Sequence, residues 1–331
     1  MKTKILVLGS GSWGLALAQV LNDNNNEVFV YGNDEQEINE LKEFKTCKKY
    51  FPDIKLSENI KFDNSLERIF NEYNFQPDIL LIVVPSNAVM SVLNDIKDYL
   101  NDSCIIVNAT KGFTSSGHII TDVIKKVFEN TGEHPIVSLL GPSHAEEVIN
   151  RQLTFVNIVD PNQLYGYTVS NLFNNSYFKS SVIPDELAAQ LCVSFKNIVA
   201  FLSGIFTGLG YGDNARAALF SMGLIDMYSL VNLTSSSGEC ILGLIGAGDL
   251  AVTCYSNHSR NFTAGKLIGE LDSFELFLKD NKKTVEGINA AKHFKEILPK
   301  HIQLPIIKCV NKILEGVKPS LAVNEFINNW K

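Results

Sequence analysis

A lysine standing alone among small residues is the first place in this sequence where chemistry has room to occur. Apolar residues recur at helical spacing over 185–203. At about 100° per residue, Leu187, Leu191, Phe195, Ile198 and Leu202 share one broad face, a core stripe. Lys196 lies opposite, among Asp185, Ala189, Cys192, Ala200 and Ser203. A solvated face would carry several charges, and this one carries only Asp185. Small neighbours leave room for one long side chain beside something packed close. That is the functional reading, an ammonium packed close against a partner. The plain alternative is a lysine reaching along its helix to water. Downstream, Gly246-Ala247-Gly248-Asp249-Leu250 sets an acid in a flexible turn. Ser259-Arg260-Asn261 sets a guanidinium between two hydrogen-bonding side chains, and its planar fork matches phosphate oxygens. Taken singly, helix caps and surface charge explain such tripeptides equally well.

The start of the chain carries a second chemistry. Lys4-Ile5-Leu6-Val7-Leu8 is a continuous apolar run, which predicts a strand buried on both faces. Gly9-Ser10-Gly11-Ser12-Trp13-Gly14 follows as G-x-G-x-x-G and opens a small-residue helix. Gly9 permits the tight turn, Gly11 lets backbone approach a pyrophosphate, and Gly14 lets the helix pack on the strand. The N–H groups near Ser12 and Trp13 then face phosphate oxygens. An ordinary glycine-rich turn would also read this way, and FAD uses the same pattern. The strand before and the helix after favour a dinucleotide site.

The elements that must position these groups come in two textures. Strands are predicted at Glu27–Tyr31, Asp78–Val84, Cys104–Asn108, Ile136–Leu140 and Thr154–Val159, with helices over 35–44, 87–100 and 117–130. The stretch 45–78 is polar and irregular around Tyr50-Phe51-Pro52. Alternating strands and helices predict an α/β, Rossmann-like domain with a doubly wound, mostly parallel sheet. Ligands in such sheets bind beyond the strands' C-terminal ends. Those ends carry Gly9–Gly14, Pro85-Ser86, Ala109-Thr110-Lys111-Gly112 and Gly141-Pro142-Ser143. The second strand ends at Gly32-Asn33-Asp34, where Asp34 either bonds a ribose hydroxyl or caps the next helix. NAD and NADP both stay open. From Pro184 onward only helical spacing appears, over 185–203, 215–233, 262–280, 284–297 and 303–315. Two domains result, a dinucleotide-binding 1–184 and an all-α substrate-binding and catalytic 185–331.

Composition narrows the class. The chain has 331 residues, 45% hydrophobic and 20% charged, with a net charge of −7. An acidic balance argues against nucleic acid as a partner. No apolar run reaches membrane-spanning length, and no signal-peptide pattern opens the chain. Six scattered cysteines without CxxC predict reduced thiols and a cytoplasmic location. Neither they nor the six histidines take metal-ligand spacing, so no metal is expected.

With these residues assembled, the chain resembles the bacterial-type NAD(P)-dependent glycerol-3-phosphate dehydrogenases. The resemblance rests on GSGSWGLALA (9–18), VVPS (83–86), ATKGF (109–113), GPSHAEEV (141–148) and FKNIVA (195–200). GLGYGDNARAAL (208–219), GAGDLAVTC (246–254), SRN (259–261) and VEG (285–287) follow in the family's order. It implies reversible conversion of dihydroxyacetone phosphate to sn-glycerol 3-phosphate with NAD or NADP, for glycerophospholipid synthesis, and a homodimer through the helical domain. It implies Lys196 as proton donor and acceptor. Lys111, Gly141, Ser143, Asp249, Ser259, Arg260 and Asn261 join it on the substrate. The cofactor falls to Gly9, Gly11, Ser12, Trp13, Gly14, Asn33, Tyr50, Lys111, Ala145, Arg260, Thr284 and Glu286.

Four positions depart from the family's pattern. His144 stands where Phe is usual, Asn33 where His or Arg is common, and Ser194-Phe195 where small or aliphatic residues precede the lysine. His144 and His258 compete for the acid role, since histidine is a common proton carrier. Rival readings are another two-domain hydroxyacid dehydrogenase and a non-catalytic NAD(H)-binding redox sensor.

Overall fold

Alternate residues of the first strand, β1 (Lys4–Leu8), go to opposite sides of a sheet that is covered on both. Ile5 and Val7 enter one core, Leu6 and Leu8 another, and none of the four keeps exposed surface. Burial on both faces is what an unbroken apolar run requires. The structure is a computed structural model, described for residues 2–114, 118–234, 236–256, 259–281, 285–299, 301–302 and 304–329. Its contacts divide the chain into two units, Met1–Glu186 and Leu187–Lys331.

In the first unit β1 is followed by α1 (Ser12–Asp23), β2 (Glu27–Tyr31), α2 (Glu35–Phe44), β3 (Lys61–Asp63), β4 (Ile79–Ile82) and α3 (Val89–Ile96). Then come β5 (Ile105–Asn108), α4 (Ile120–Phe128), β6 (Ile136–Leu140), α5 (Ala145–Ile149), β7 (Thr154–Val159), α6 (Leu164–Phe173) and β8 (Phe178–Ile183). The sheet order is β3-β2-β1-β4-β5-β6-β7-β8. All neighbours run parallel except β6 and β7. Helices α1, α2, α5 and α6 pack on one face, α3 and α4 on the other. The first six strands follow the doubly wound order whose reversal point, between β1 and β4, lies where such folds bind ligands.

Two strands lie where the sequence places none. β3 falls inside the polar stretch 45–78: it has three residues, too few for a period, and its apolar share is Phe62 alone. β8 pairs along its whole length with β7, yet Lys-Ser-Ser at its centre hides the strand pattern.

The second unit is helical: α7 (Glu186–Gly208), α8 (Asp213–Val231), α9 (Asp249–Tyr255), α10 (Arg260–Leu271), α11 (Phe274–Asp280), α12 (Glu286–Ile297), α13 (Pro305–Leu314) and α14 (Pro319–Asn328). The single helix expected over 262–280 is two. Asp272 takes a left-handed turn (φ 44°), and Ser273 caps α11 by accepting from Leu276 N–H at 3.2 Å. Helix α7 corrects two further expectations. Leu187, placed in the core stripe, is 40% exposed. The helix is also long and apolar enough to cross a membrane, although 89% of its most apolar window is buried inside the protein. It is a core helix, enclosed all round from Ala188 to Phe206. Its backbone touches that of α10: a Cβ on Gly204 would lie 2.1 Å from Phe262 O, and one on Gly265 2.0 Å from Phe201 O.

Candidate active site

The groups in the first unit are largely main chain. Gly9 has φ +122°, and a Cβ there would come within 2.6 Å of Val83 O. One on Gly14 would lie 2.0 Å from Gly9 O, whereas Gly11 has nothing within 4 Å. The turn is therefore sealed on its inner side and open at Gly11. Gly11 is also the N-cap of α1 and brings no capping side chain. The first N–H groups of the helix, from Ser12 and Trp13 onward, consequently face outward without helical acceptors.

Loops after β5 and β6 converge on the same edge. Lys111 Nζ lies 3.4 Å from Ser143 Oγ and 5.8 Å over the Trp13 ring. Ser143 donates to Gly141 O at 3.1 Å. Ala145, 8% exposed, opens α5 behind His144, its N-cap. Trp13 Nε1 is buried without a hydrogen-bond partner among the described residues. An open glycine, a bare helix N-terminus, an orphaned indole N–H and an ammonium together fit the diphosphate of a dinucleotide. Beyond β2, Asn33 is exposed, and Asp34 accepts from Glu37 N–H at 3.0 Å, the capping role. Tyr50 is half-buried, with Lys49 Nζ 4.9 Å over its ring.

The groups in the second unit are side chains brought together by buried helices. Lys196 is 3% exposed, and its Nζ lies 2.5 Å from Asp249 Oδ2 and 3.4 Å from Thr253 Oγ1. Thr253 donates to Asp249 O at 2.5 Å, so its oxygen is turned to accept from the lysine. Asp249 is not in a flexible turn. It begins α9 and is 1% exposed. The ion pair is close but off the hydrogen-bonding direction, and Oδ2 has no well-aligned hydrogen bond among the described residues. Two buried charges are costly unless their remaining valences are met. Ser203, one of the small residues on the Lys196 face, donates from Oγ to Cys254 O of α9 at 3.3 Å. Burial pushes the Cys254 thiol up to about 12, so it stays protonated.

A second network flanks the pair. Asn197 donates to Glu286 Oε2 at 3.1 Å and accepts from Asn261 Nδ2 at 3.0 Å, while Asn261 Oδ1 accepts from Gly287 N–H at 2.9 Å. Glu286 itself is exposed. Ser259 caps α10 by accepting from Phe262 N–H at 3.2 Å. Arg260, the first residue of α10, is exposed. Among the described residues no acceptor takes the Ser259 hydroxyl hydrogen or the second Asn261 amide hydrogen. Thr284 and His258 lie outside the described residues.

Four residues at these sites escaped the sequence reading. Thr253 stands four residues after Asp249, the same-face spacing of a helix, but 249–255 was not read as helical. Asn197 follows the lysine directly. Glu37 and Lys49 form an ion pair at 3.2 Å beside the glycine turn; their spacing in sequence carries no signal. Among the described residues no three His, Cys, Asp or Glu side chains cluster as metal ligands would.

Known proteins share this architecture. The model of the NAD-dependent glycerol-3-phosphate dehydrogenase N-terminus matches residues 4–164, and that of the C-terminus residues 185–324. A glycerol-3-phosphate dehydrogenase [NAD(P)+] from Enterococcus faecalis is 35% identical over 95% of this chain and 92% of its own length. One from Bacillus cereus is 38% identical over 94% and 91%. The crystal structure of glycerol-3-phosphate dehydrogenase from Coxiella burnetii superimposes with a TM-score of 0.88 at 30% identity, covering 98% of this chain and 99% of that one.

Proposed function

This chain belongs to the NAD-dependent glycerol-3-phosphate dehydrogenase family, and from that premise we propose that it interconverts dihydroxyacetone phosphate and sn-glycerol 3-phosphate with NAD or NADP. A nicotinamide held by the first unit would supply or take up the hydride at the substrate's C2. The rest falls to groups of this chain. Lys196 faces the C2 oxygen, stabilises the negative charge that develops there, and delivers the proton. Asp249 and Thr253 fix the direction of its amine, and Asp249 also accepts from a substrate hydroxyl. Arg260 and the N-terminus of α10 take the phosphate, and the binding energy of that anion orients C2. Lys111, Gly141 and Ser143 complete the substrate contacts, while Gly9–Gly14, Asn33, Tyr50, Ala145 and Glu286 hold the cofactor.

The observation that carries this reading is the buried Lys196–Asp249–Thr253 cluster. A lysine and an aspartate at 3% and 1% exposure serve stability poorly and serve proton transfer well. We place the enzyme in the cytoplasm, as a dimer through its helical unit, feeding glycerophospholipid synthesis.

The test is a nicotinamide absorbance assay with dihydroxyacetone phosphate and NADH or NADPH, run beside ketopantoate with the same reduced cofactors and beside 6-phosphogluconate and 3-hydroxy acids with the oxidised ones. Oxidation of the reduced cofactor by dihydroxyacetone phosphate is the expected result. Turnover confined to another substrate would make it a different dehydrogenase, and cofactor binding without any turnover would make it a sensor.

A further inference from the structure

We infer that this chain selects NAD(H) over NADP(H), and that the carboxylate of Glu37 sets the preference. The inference rests on the dinucleotide reading of the first unit. In this fold the ribose 2′ position of the adenosine lies just past the second strand. An added 2′-phosphate brings close to two negative charges and needs cations, whereas a 2′-hydroxyl needs an acceptor.

The residues past β2 supply acceptors. From Asn33 to Glu40 the sequence holds Asp34, Glu35, Glu37 and Glu40 and no lysine or arginine. Asn33 and Asp34 are exposed at the strand's tip. Asp34 uses one oxygen on the cap of α2, which leaves the other to accept a ribose hydroxyl. Glu37 cannot swing away. Its Oε1 accepts from Ser10 Oγ at 2.5 Å, within the G-x-G-x-x-G turn itself. Its side chain is only 9% exposed.

Two of the nearby cations are already committed, while Lys48, whose backbone N–H donates to Glu40 Oε1 at 3.0 Å, stands exposed beside them. Lys49, the one beside Glu37, pairs with Oε2 at 3.2 Å and lies over Tyr50. Lys42 pairs with Asp63 at 2.8 Å. A 2′-phosphate would therefore meet a fixed carboxylate and a neutralised lysine, and like charges at such range repel.

Calorimetric titration of the whole protein with NAD+ and with NADP+ tests this without turnover. The wild type should bind NAD+ about tenfold more tightly or better. Glu37→Gln keeps an acceptor for Ser10, removes the charge and releases Lys49. It should narrow the ratio at least about threefold, chiefly through tighter NADP+. Asn33→Arg, at an exposed position with no fold to disturb, should narrow it as well. Equal or tighter NADP+ binding by the wild type overturns the inference, and so does a ratio that Glu37→Gln does not move. Binding of neither nucleotide overturns both this and the dinucleotide reading. NAD+ preference without turnover of dihydroxyacetone phosphate leaves the inference standing and removes the dehydrogenase reading alone.

Discussion

The two units hold their functional groups by opposite means. In the first, backbone does the holding: Gly9, Gly11 and Gly14 shape a turn whose N–H groups point outward, and Lys111, half-exposed, leans over from a loop. In the second, every anchoring contact of Lys196 is a buried side chain from α9. Buried acids divide the same way. Burial alone would raise Asp63, but hydrogen bonds from Arg68, Lys42 and Ser65 N–H hold it down to about 2. Among the described residues Asp226 in α8 has one long hydrogen bond, from Ile306 N–H at 3.3 Å, and burial pushes it up to about 7. A backbone-built site tolerates side-chain change and fails when a glycine gains a Cβ. A side-chain-built site fails with any one of its members.

The sharpest break in that contrast is Lys196→Ala. Turnover should fall by roughly a thousandfold or more, while NAD+ affinity, measured by calorimetry, stays near wild type. The substitution also strands Asp249, at a cost of about 3–5 kcal/mol. Lys196→Met with Asp249→Asn serves as the folded control, equally inactive but melting closer to wild type. Near-normal turnover in either variant would remove the amine from the mechanism.

Asp226→Asn comes next. Because the folded-state pKa lies above the unfolded value, the folded protein binds the extra proton. That contribution is complete below about pH 4 and is lost as pH rises through about 7. The loss is roughly 4 kcal/mol at most. Thermal melts from pH 4 to 8 should therefore flatten in Asp226→Asn. Asp63 behaves in the opposite sense: its contribution is present above about pH 4 and disappears only as pH falls through about 2. An unchanged slope would mean that the two carboxylates do not differ as their surroundings suggest.

Gly14→Ala should weaken NAD+ binding on the order of a hundredfold, since its Cβ collides with backbone that cannot yield, yet leave melting of the helical unit in place. The smallest effect belongs to Arg260→Ala. The KM for dihydroxyacetone phosphate should rise roughly tenfold, with kcat changed less. An unmoved KM would send the phosphate elsewhere.

The same contrast explains what the sequence could reveal. β1, β2, β6 and β7 appear at their full lengths because apolar runs and turn residues are local signals. The glycine turn is legible for the same reason. β3 and β8 are not, being set by pairing with neighbours rather than by their own composition. In the second unit, Lys196 stands out by the smallness of its neighbours. Its partners do not: Asp249 looked like a loop residue, since the helix that follows has only seven residues and opens with two glycines before it. Asn197, Asn261 and Glu286 join across intervals of 64 and 89 residues, which no periodicity reports.

The direct backbone contact between α7 and α10 has a consequence for substrate length. Glycines that admit no Cβ lock the two helices at one depth and one register. One carries Lys196 and the other Arg260, so the Cα atoms that bear the two cations are held at one separation. With the roles proposed for them, a molecule longer than a three-carbon phosphate would not sit between both, and Gly204 and Gly265 act as the marks of a ruler.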